Sequence, residues 1–363
     1  MRVLHIGLCK NQGGIESFAI NYFRAVHSEG VVFDFADIYG EGLAYEEEIK
    51  QLGGKIVTFP NFKKNMRACK KALICYMKNN IYDAVHIHVQ TTTYIFPIIA
   101  AIKAGVKPIV HVHFSGVKGF VRKVLHAINI KRLRHLNVYR FSSGRVSGEW
   151  FWGGEEFSIL PNAICTEKFI FNSVNRQILR NELQILEPTM LIGYVGRLEP
   201  VKNPLFALEM VNACKKRDLK TKLLLIGEGS LKESIVEKIT SLGLEHDVIL
   251  MGYTSQVSRF LSAMDVYIMP SLSEAFSIAA IEAQTNGLPC IFSKGLPEEM
   301  QISQSCCFIP LNEVEQWVDV IAEMIKKNED RTGADEKVLQ SNFNMQIAKQ
   351  ILIESYIKNK ARK

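Results

Sequence analysis

Two glutamates, Glu274 and Glu282, stand eight positions apart in PSLSEAFSIAAIEAQTNGLP, residues 270–289. Paired carboxylates can carry out glycoside hydrolysis, in which two acids flank the bond being cut. The spacing argues against that here. Pro270, Ser271 and Ser273 are turn and cap residues, so a helix is expected to start near Ser277, leaving Glu274 in the loop and Glu282 about a turn and a half inside. The two acids then address different parts of a ligand lying across the helix N-terminus. Unpaired N–H groups and the positive end of the helix dipole make that terminus suitable for phosphate. A diphosphate with groups to grasp on either side accounts for both carboxylates.

Two cations stand in a comparable setting. In GYVGRLEPVKNP an apolar run ends in Gly196 and Arg197, and Lys202 follows five positions later, just before a helical pattern. A solvated charged loop is the plainer reading. At a strand's carboxyl end beside a helix start, Arg and Lys can instead grip a diphosphate through charge-assisted bonds of ~1.5–3 kcal/mol each. In KLLLIGEGSLKESI a strand runs through Gly227, Glu228 and Gly229 into a helix, a turn that serves packing as often as binding. In NQGGIESF, Gly13 and Gly14 would let the backbone come close to a ligand at a helix N-terminus, with a plain tight turn as the alternative. Glu16, in the first turn of that helix, suits its dipole.

His86, His88, His111 and His113 form two H-x-H pairs on strand-like runs, and strand alternation puts each pair on one face. Clustered imidazoles would suit a metal hydrolase. No carboxylate accompanies them at ligand spacing, so core or cleft-lining histidines are expected, and no metal site.

The elements that must hold these residues alternate along the chain. Strand candidates VLHIG, VVFDFADI, KIVTFP, YDAVHIHV, KPIVHVHF and VYRFSS occupy the first half, and MLIGYVGRL, KLLLIGEG, DVILMG, DVYIMP and LPCIFS the second. Longer helical patterns separate them, which is the signature of an α/β chain with parallel, doubly wound sheets. The 363 residues, 47% hydrophobic and 22% charged, are enough for two such domains. FSILPNAICTEKFIFN turns at Pro161 and Asn162 and then loses periodicity. The expected division is 1–165 as an N-terminal Rossmann-like domain, 166–189 as a linker and 190–343 as a C-terminal Rossmann-like domain. Residues 344–363 would form a last helix crossing back to the first domain. The strand carboxyl ends of both would face a shared cleft.

Composition narrows the class. The start, MRVLHIGLCKNQGG, does not read as a signal peptide, and no segment approaches the ~20 apolar residues of a membrane span. The 8 cysteines show no C-x-x-C or zinc spacing. A cytoplasmic protein with reduced thiols is expected. The formal charge of +7 favours anionic partners, and no stretch resembles a nucleic-acid module, so nucleic acid is not expected among them.

Taken together, GRLEPVK, GEG and EAFSIAAIEAQTNGLP resemble the second domain of the retaining glycosyltransferases of family 4, which have the GT-B architecture. That family's order is G-R-x4-K, a G-x-G turn, then E-x7-E running into G-L-P. In the first half NQGGIESF, HVHFSG, SGEWFWG and ILPNAI resemble a polysaccharide-biosynthesis branch of the same family, so the likeness covers nearly the whole chain. It implies donor binding in the second domain and acceptor binding in the first. By this resemblance Arg197 and Lys202 hold the leaving diphosphate, Glu282 accepts hydrogen bonds from the ribose, and Glu274 touches the sugar being transferred. Backbone N–H groups around Phe276 and Ser277 cup sugar and phosphate. Gly13, Gly14, Gly227 and Gly229 join the donor-binding set, and His113, with His111 as fallback, contacts the donor sugar near the reaction centre. The chain departs from the family where Ala275-Phe276-Ser277 replaces Gly-Phe-Gly, which retunes the donor pocket, and at Gly144, where relatives tend to have serine.

The resemblance implies transfer of a hexosyl or N-acetylhexosaminyl group, with retention, from a nucleoside diphosphate sugar to a lipid-linked saccharide. A UDP-sugar is favoured as donor, no cofactor or metal is expected, and the pathway is a surface polysaccharide (capsule, exopolysaccharide or O-antigen). Rival readings are a sugar-nucleotide epimerase and a non-catalytic sugar-nucleotide-binding subunit of an assembly complex. A lipid-linked acceptor calls for an anionic membrane surface as partner and a peripheral position on the inner face of the cell membrane. In GVKGFVRKVLHAINIKRLRHLNVYR the apolar Val117, Phe120, Val121, Val124, Leu125 and Ile128 recur at helical spacing. They are expected to pack inside. Lys118, Arg122, Lys123, Lys131, Arg132 and Arg134 are left to meet lipid.

Overall fold

The alternating pattern folds into two parallel sheets in a computed structural model, which describes residues 1–113, 116–117, 119–274, 276–327, 331 and 336–359. The first sheet contains β1 (Arg2–Ile6), β2 (Val32–Asp37), β3 (Ile56–Thr58), β4 (Ala84–Val89), β5 (Ile109–Val112), β6 (Tyr139–Ser142) and β7 (Ser158–Ile159). Their order is β3-β2-β1-β4-β5-β6-β7, all parallel. The second contains β8 (Met190–Val195), β9 (Thr221–Ile226), β10 (Val248–Gly252), β11 (Val266–Met269), β12 (Cys290–Ser293) and β13 (Cys306–Ile309). Their order is β10-β9-β8-β11-β12-β13, again parallel. Central strands such as β4, AVHIHV, are buried along their whole length, because helices cover both faces of such a sheet. Two strands were not among the sequence candidates: β7 is two residues long, and β13 is a four-residue apolar run, CCFI.

Each sheet has a switch point, where successive connections leave toward opposite faces and a crevice opens at the strand carboxyl ends. It lies between β1 and β4 in the first sheet and between β8 and β11 in the second.

The chain divides into one unit of residues 1–163 with 345–363 and another of residues 164–344. This corrects the expected linker. Residues 166–189 belong to the second unit, where the helix Ser173–Glu182 carries Arg176 and Arg180, both bonded to Asp265 at 2.5 and 2.9 Å. Leu179 of this helix and Ile185 just beyond it enter the core beside β11, so the stretch lacked strand periodicity without lacking structure. The C-terminal helix Met345–Lys358 belongs to the first unit and buries Leu352 and Tyr356 there.

A second correction concerns the helix Phe120–Arg134. The apolar stripe expected inside is outside: Phe120 is 81% exposed, Ile128 51%, and Val121, Val124 and Leu125 are exposed as well. Only Asn129, Ile130 and Leu133 are buried, and His126 stacks on Trp150 and bonds to the Thr92 hydroxyl at 2.7 Å, so the helix is anchored from His126 onward while residues 120–125 stand clear of the unit's core. Arg122, Lys123, Lys131, Arg132 and Arg134 are exposed on the same helix, while Lys118 lies outside the described residues. Among the described residues no helix is long and apolar enough to cross a membrane.

Candidate functional site

In the second unit the loops that follow β8 and β11 meet across the switch point. Leu272 N–H donates to the Val201 carbonyl at 2.8 Å, tying one loop to the other. Lys202, which ends the 3-10 turn Pro200–Lys202, donates in a short ion pair to the Glu274 carboxylate, and Ser271 Oγ donates to the same carboxylate at 2.9 Å. Glu274 is nearly buried and Lys202 about one-fifth exposed. Arg197 is exposed and, among the described residues, its guanidinium has no ion pair or hydrogen bond. One cation is therefore committed to a carboxylate and the other is free.

The expected helix is Ile278–Thr285, with Ser277 as N-cap accepting from Ala280 N–H at 3.4 Å. Among the described residues the N–H groups of Phe276, Ser277 and Ile278 have no acceptor, leaving a small donor cluster at the positive end of the helix dipole. The Phe276 ring stacks on Phe343 with centroids 4.8 Å apart, so its side chain faces protein and its backbone is what remains for a ligand. The Glu282 carboxylate, carried by the helix, has no hydrogen-bond partner among the described residues, and although the residue is only partly shielded from water, desolvation pushes its carboxyl up to about 7. Ala275, the first residue of the departure from the family pattern, lies outside the described residues.

Gly227 and Gly229 face the protein's own backbone. A Cβ at Gly227, where φ is +146°, would sit 1.9 Å from the Gly196 carbonyl oxygen, and one at Gly229 would sit 2.4 Å from that of Leu198. The bonds Leu198 N–H to Glu228 O and Leu231 N–H to Leu198 O, both 2.9 Å, complete the contact. These glycines let the loop after β9 buttress the loop that carries Arg197, a positioning task that the G-x-G spacing alone does not reveal. Tyr253, which directly follows β10, is 82% exposed. Sequence reading passed over it because no motif marks it.

In the first unit Gly14 opens the helix Gly14–His27 and Gly13 caps it. A Cβ at Gly14 would meet no atom within 4 Å, so here the glycine leaves open space. Glu16 is buried and accepts from Cys9 N–H at 2.9 Å and Cys9 Sγ at 3.2 Å, so it serves the loop fold as well as the dipole. The histidines form a larger cluster than the sequence pairs indicated. Parallel pairing sets His5 on β1 beside His86, and His88 beside His111. All five rings lie on one sheet face, beneath Phe18 and Tyr356. Burial lowers His5, His86, His88 and His111 well below the usual imidazole range, and His113 to about 3, so all are neutral at pH 7. Ring nitrogens of His5, His86 and His88, and of His88, His111 and His113, fall within 4.8 Å of one another. Their closest approaches, 2.9 Å, are hydrogen bonds with a proton between the nitrogens. His5 and Tyr356 escaped sequence analysis because only the strand order and the return of the C-terminal helix bring them to His86.

Two parallel-sheet units with charged switch-point loops in the second define a class, and comparison with known proteins agrees. Residues 175–339 match the family described as Glycosyl transferases group 1. The chain is 31% identical over 340 residues to EpsF of Bacillus subtilis (strain 168), assigned there to the glycosyltransferases, covering 88% of this chain and 87% of that one. The chain belongs to this glycosyltransferase family. It is also 28% identical over 311 residues, 81% of its length and 79% of the other's, to an Escherichia coli UDP-Gal:alpha-D-GlcNAc-diphosphoundecaprenol alpha-1,3-galactosyltransferase. Among solved structures, Anabaena HepE in complex with UDP superposes with a TM-score of 0.81 at 16% identity, covering 99% of this chain and 100% of that one. The fold is thus GT-B, with Rossmann-like sheets of 7 and 6 strands.

Proposed function

We propose that this glycosyltransferase moves a hexosyl or N-acetylhexosaminyl group from a nucleoside diphosphate sugar, UDP-linked, to a lipid-linked saccharide in surface-polysaccharide assembly, with retention of anomeric configuration. The observation that carries the reading is the second unit's switch point, where Lys202 is held by Glu274, and the Arg197 guanidinium and the N–H groups that open a helix have no partner among the described residues. The E. coli relative, which by its name uses UDP-Gal and a diphosphoundecaprenol-linked GlcNAc, supports both the donor class and the acceptor class.

In this reading Arg197 and Lys202 take the diphosphate, and the charge that builds on it as the glycosidic bond breaks is met by cations already in place. Glu274 holds Lys202 at the correct height and offers its remaining lone pairs to the sugar hydroxyls. Glu282 accepts from the ribose hydroxyls, which replace the water its partial burial denies it. Tyr253, an exposed aromatic at a strand carboxyl end, provides a face on which the base stacks. His113 contacts the donor sugar. The acceptor hydroxyl's proton passes to the departing phosphate oxygen on the same face of the sugar. Bond making and breaking therefore require no protein base, and the enzyme works by positioning. The two cations supply the charge that a metal would otherwise supply, so transfer should persist in chelator.

The helix Phe120–Arg134 is the docking element for an anionic membrane surface in this proposal. Its exposed apolar side chains and flanking cations fit a bilayer interface, where each cation contributes on the order of 1 kcal/mol and partial insertion of each apolar side chain a similar amount. Incubating UDP-sugars with an undecaprenyl-diphosphate-linked saccharide and assigning the product by NMR tests the whole reading. A retained glycosidic product supports it. An inverted product, or a new sugar nucleotide formed without acceptor, removes it.

A further inference from the structure

Among the described residues the Arg197 guanidinium touches no partner, so only its backbone aims it. Ordering a loose loop when a ligand binds costs affinity, and a site built on this arginine therefore needs its backbone held beforehand. The β8 ladder stops one residue short of it, where Gly196 N–H donates to the Ile226 carbonyl at 3.0 Å.

Two kinds of bond hold the turn beyond that point. Backbone bonds tie it to itself and to the loop after β9: Glu199 N–H to Arg197 O, Leu198 N–H to Glu228 O and Leu231 N–H to Leu198 O, all 2.9 Å. Two phenols tie it to the core. The Tyr194 hydroxyl donates to the Arg197 carbonyl at 3.1 Å, and the Tyr267 hydroxyl to the Val195 carbonyl at 3.3 Å. The direction of each bond is fixed, because a carbonyl can only accept. Tyr267 on β11 is in register with Gly193, so Tyr194, one residue further along β8, points to the opposite face of the sheet. Each ring is buried in the core on its own face. The end of β8 is thus held from both sides.

The two bonds have different reach. Val195 is still paired with Ile226 in the ladder, so Tyr267 secures a residue that the sheet already fixes. Arg197 lies past the last ladder bond, and the Tyr194 hydroxyl is the side-chain group that ties its backbone to the core. A packed ring cannot follow a moving loop. Its hydroxyl therefore sets the plane of the Arg197–Leu198 peptide, and it turns the negative end of that carbonyl toward the interior, where it does not oppose a bound anion.

We infer that Tyr194 is a positioning residue for the donor, its hydroxyl holding the Arg197 backbone so that the guanidinium is presented to the diphosphate. This rests on the role proposed for Arg197 and adds to it a residue that acts only through that cation.

Calorimetric titration of UDP into the wild type, Tyr194→Phe, Arg197→Ala and the double variant reads the coupling between the two residues. Tyr194→Phe keeps the ring and removes the hydroxyl, and it should weaken UDP binding roughly two- to tenfold, the worth of one hydrogen bond. Added to Arg197→Ala, the same change should weaken binding no further. Tyr267→Phe is the matched control: it also loses a phenol-to-carbonyl bond, and it should lower Tm while UDP affinity stays at the wild-type value. Wild-type affinity in Tyr194→Phe would overturn the inference, as would an equal loss with and without Arg197, or a loss in Tyr267→Phe as large as in Tyr194→Phe. Arg197→Ala that binds UDP like the wild type would remove the donor reading itself, and the inference with it. Should Tyr194→Phe not fold, Tyr194→Met, which also lacks the hydroxyl, takes its place in the same cycle with the same expected outcomes.

Discussion

The two sheets share a strand order up to the sixth strand, yet their switch points have opposite electrical characters. In the first unit the crevice between β1 and β4 is backed by neutral imidazoles that satisfy one another, His5 with His88 and His88 with His113. In the second, the crevice between β8 and β11 carries an exposed guanidinium and an ammonium–carboxylate pair. Topology supplies the place in both, and side chains decide what it can hold. A neutral polar wall suits hydroxyl groups, while a cationic one suits a diphosphate. The glycines differ in the same way. Gly227 and Gly229 are pressed against protein backbone, whereas Gly14 borders open space.

The largest effect should come from Lys202, which pairs with Glu274 and in the proposed site also holds the diphosphate. Lys202→Ala should weaken UDP binding roughly 10- to 150-fold. It should also lower Tm, because Glu274 is nearly buried and loses the cation that compensates it. A variant that binds weakly but melts normally would show that Glu274 needs no partner.

The next effect is a pH dependence. In the proposed site Glu282 must be ionised to accept two ribose hydroxyls, and desolvation pushes its carboxyl up to about 7. Nucleotide affinity should therefore fall as pH drops below 7, by roughly tenfold between pH 8 and pH 6. Glu282→Gln should abolish that dependence along with part of the affinity. The same raised pKa has a stability consequence of known sign. A carboxyl held above its unfolded value costs stability once the unfolded chain ionises, a cost that grows up to the folded pKa and persists above it. Glu282→Gln should therefore raise Tm at pH 8 but hardly at pH 4. Equal melting shifts at the two pH values would count against the desolvated carboxyl.

The glycine contrast predicts opposite phenotypes. Gly227→Ala should destabilise the fold and displace Arg197's loop, since its Cβ has no room and its φ is unfavourable for other residues. Gly14→Ala should leave Tm unchanged. Any loss of transfer in that variant then reports ligand approach to the backbone.

The smallest expected effect concerns the exposed helix. Vesicles of anionic lipid should bind the protein, and high salt should release it only partly, because salt screens the cations and leaves the apolar contact. Replacing Phe120 and Val121 with serine should make release complete. Full release of the unaltered protein by salt would mean that the cations dock alone.

Much of this was legible in the sequence, for identifiable reasons. Eleven of the strands gave apolar runs long enough to read, and Ser277 announced its helix through its cap chemistry. The missing strands, β7 and β13, are short and owe their conformation to the neighbours they pair with. The exposed helix was misread because periodicity reports that an apolar stripe exists and not what it faces. The histidine chain was half visible: two H-x-H pairs mark strands, but His5 and Tyr356 join them only through strand order and a helix some 270 residues downstream of His86. The Lys202–Glu274 pair was likewise hidden, because each residue was assigned to the ligand and not to the other.

The central claim is that the second unit's switch point grips the donor's diphosphate, and Arg197 tests it most directly because it is exposed and its guanidinium is bonded to nothing among the described residues. Calorimetric titration of UDP, in chelator, into the wild-type protein and Arg197→Ala is the decisive measurement. The account predicts tight binding by the first, binding weakened roughly 10- to 150-fold in the second, and the same Tm for both. Equal affinity in the two proteins, or no binding by the wild type unless a divalent ion is restored, would contradict it.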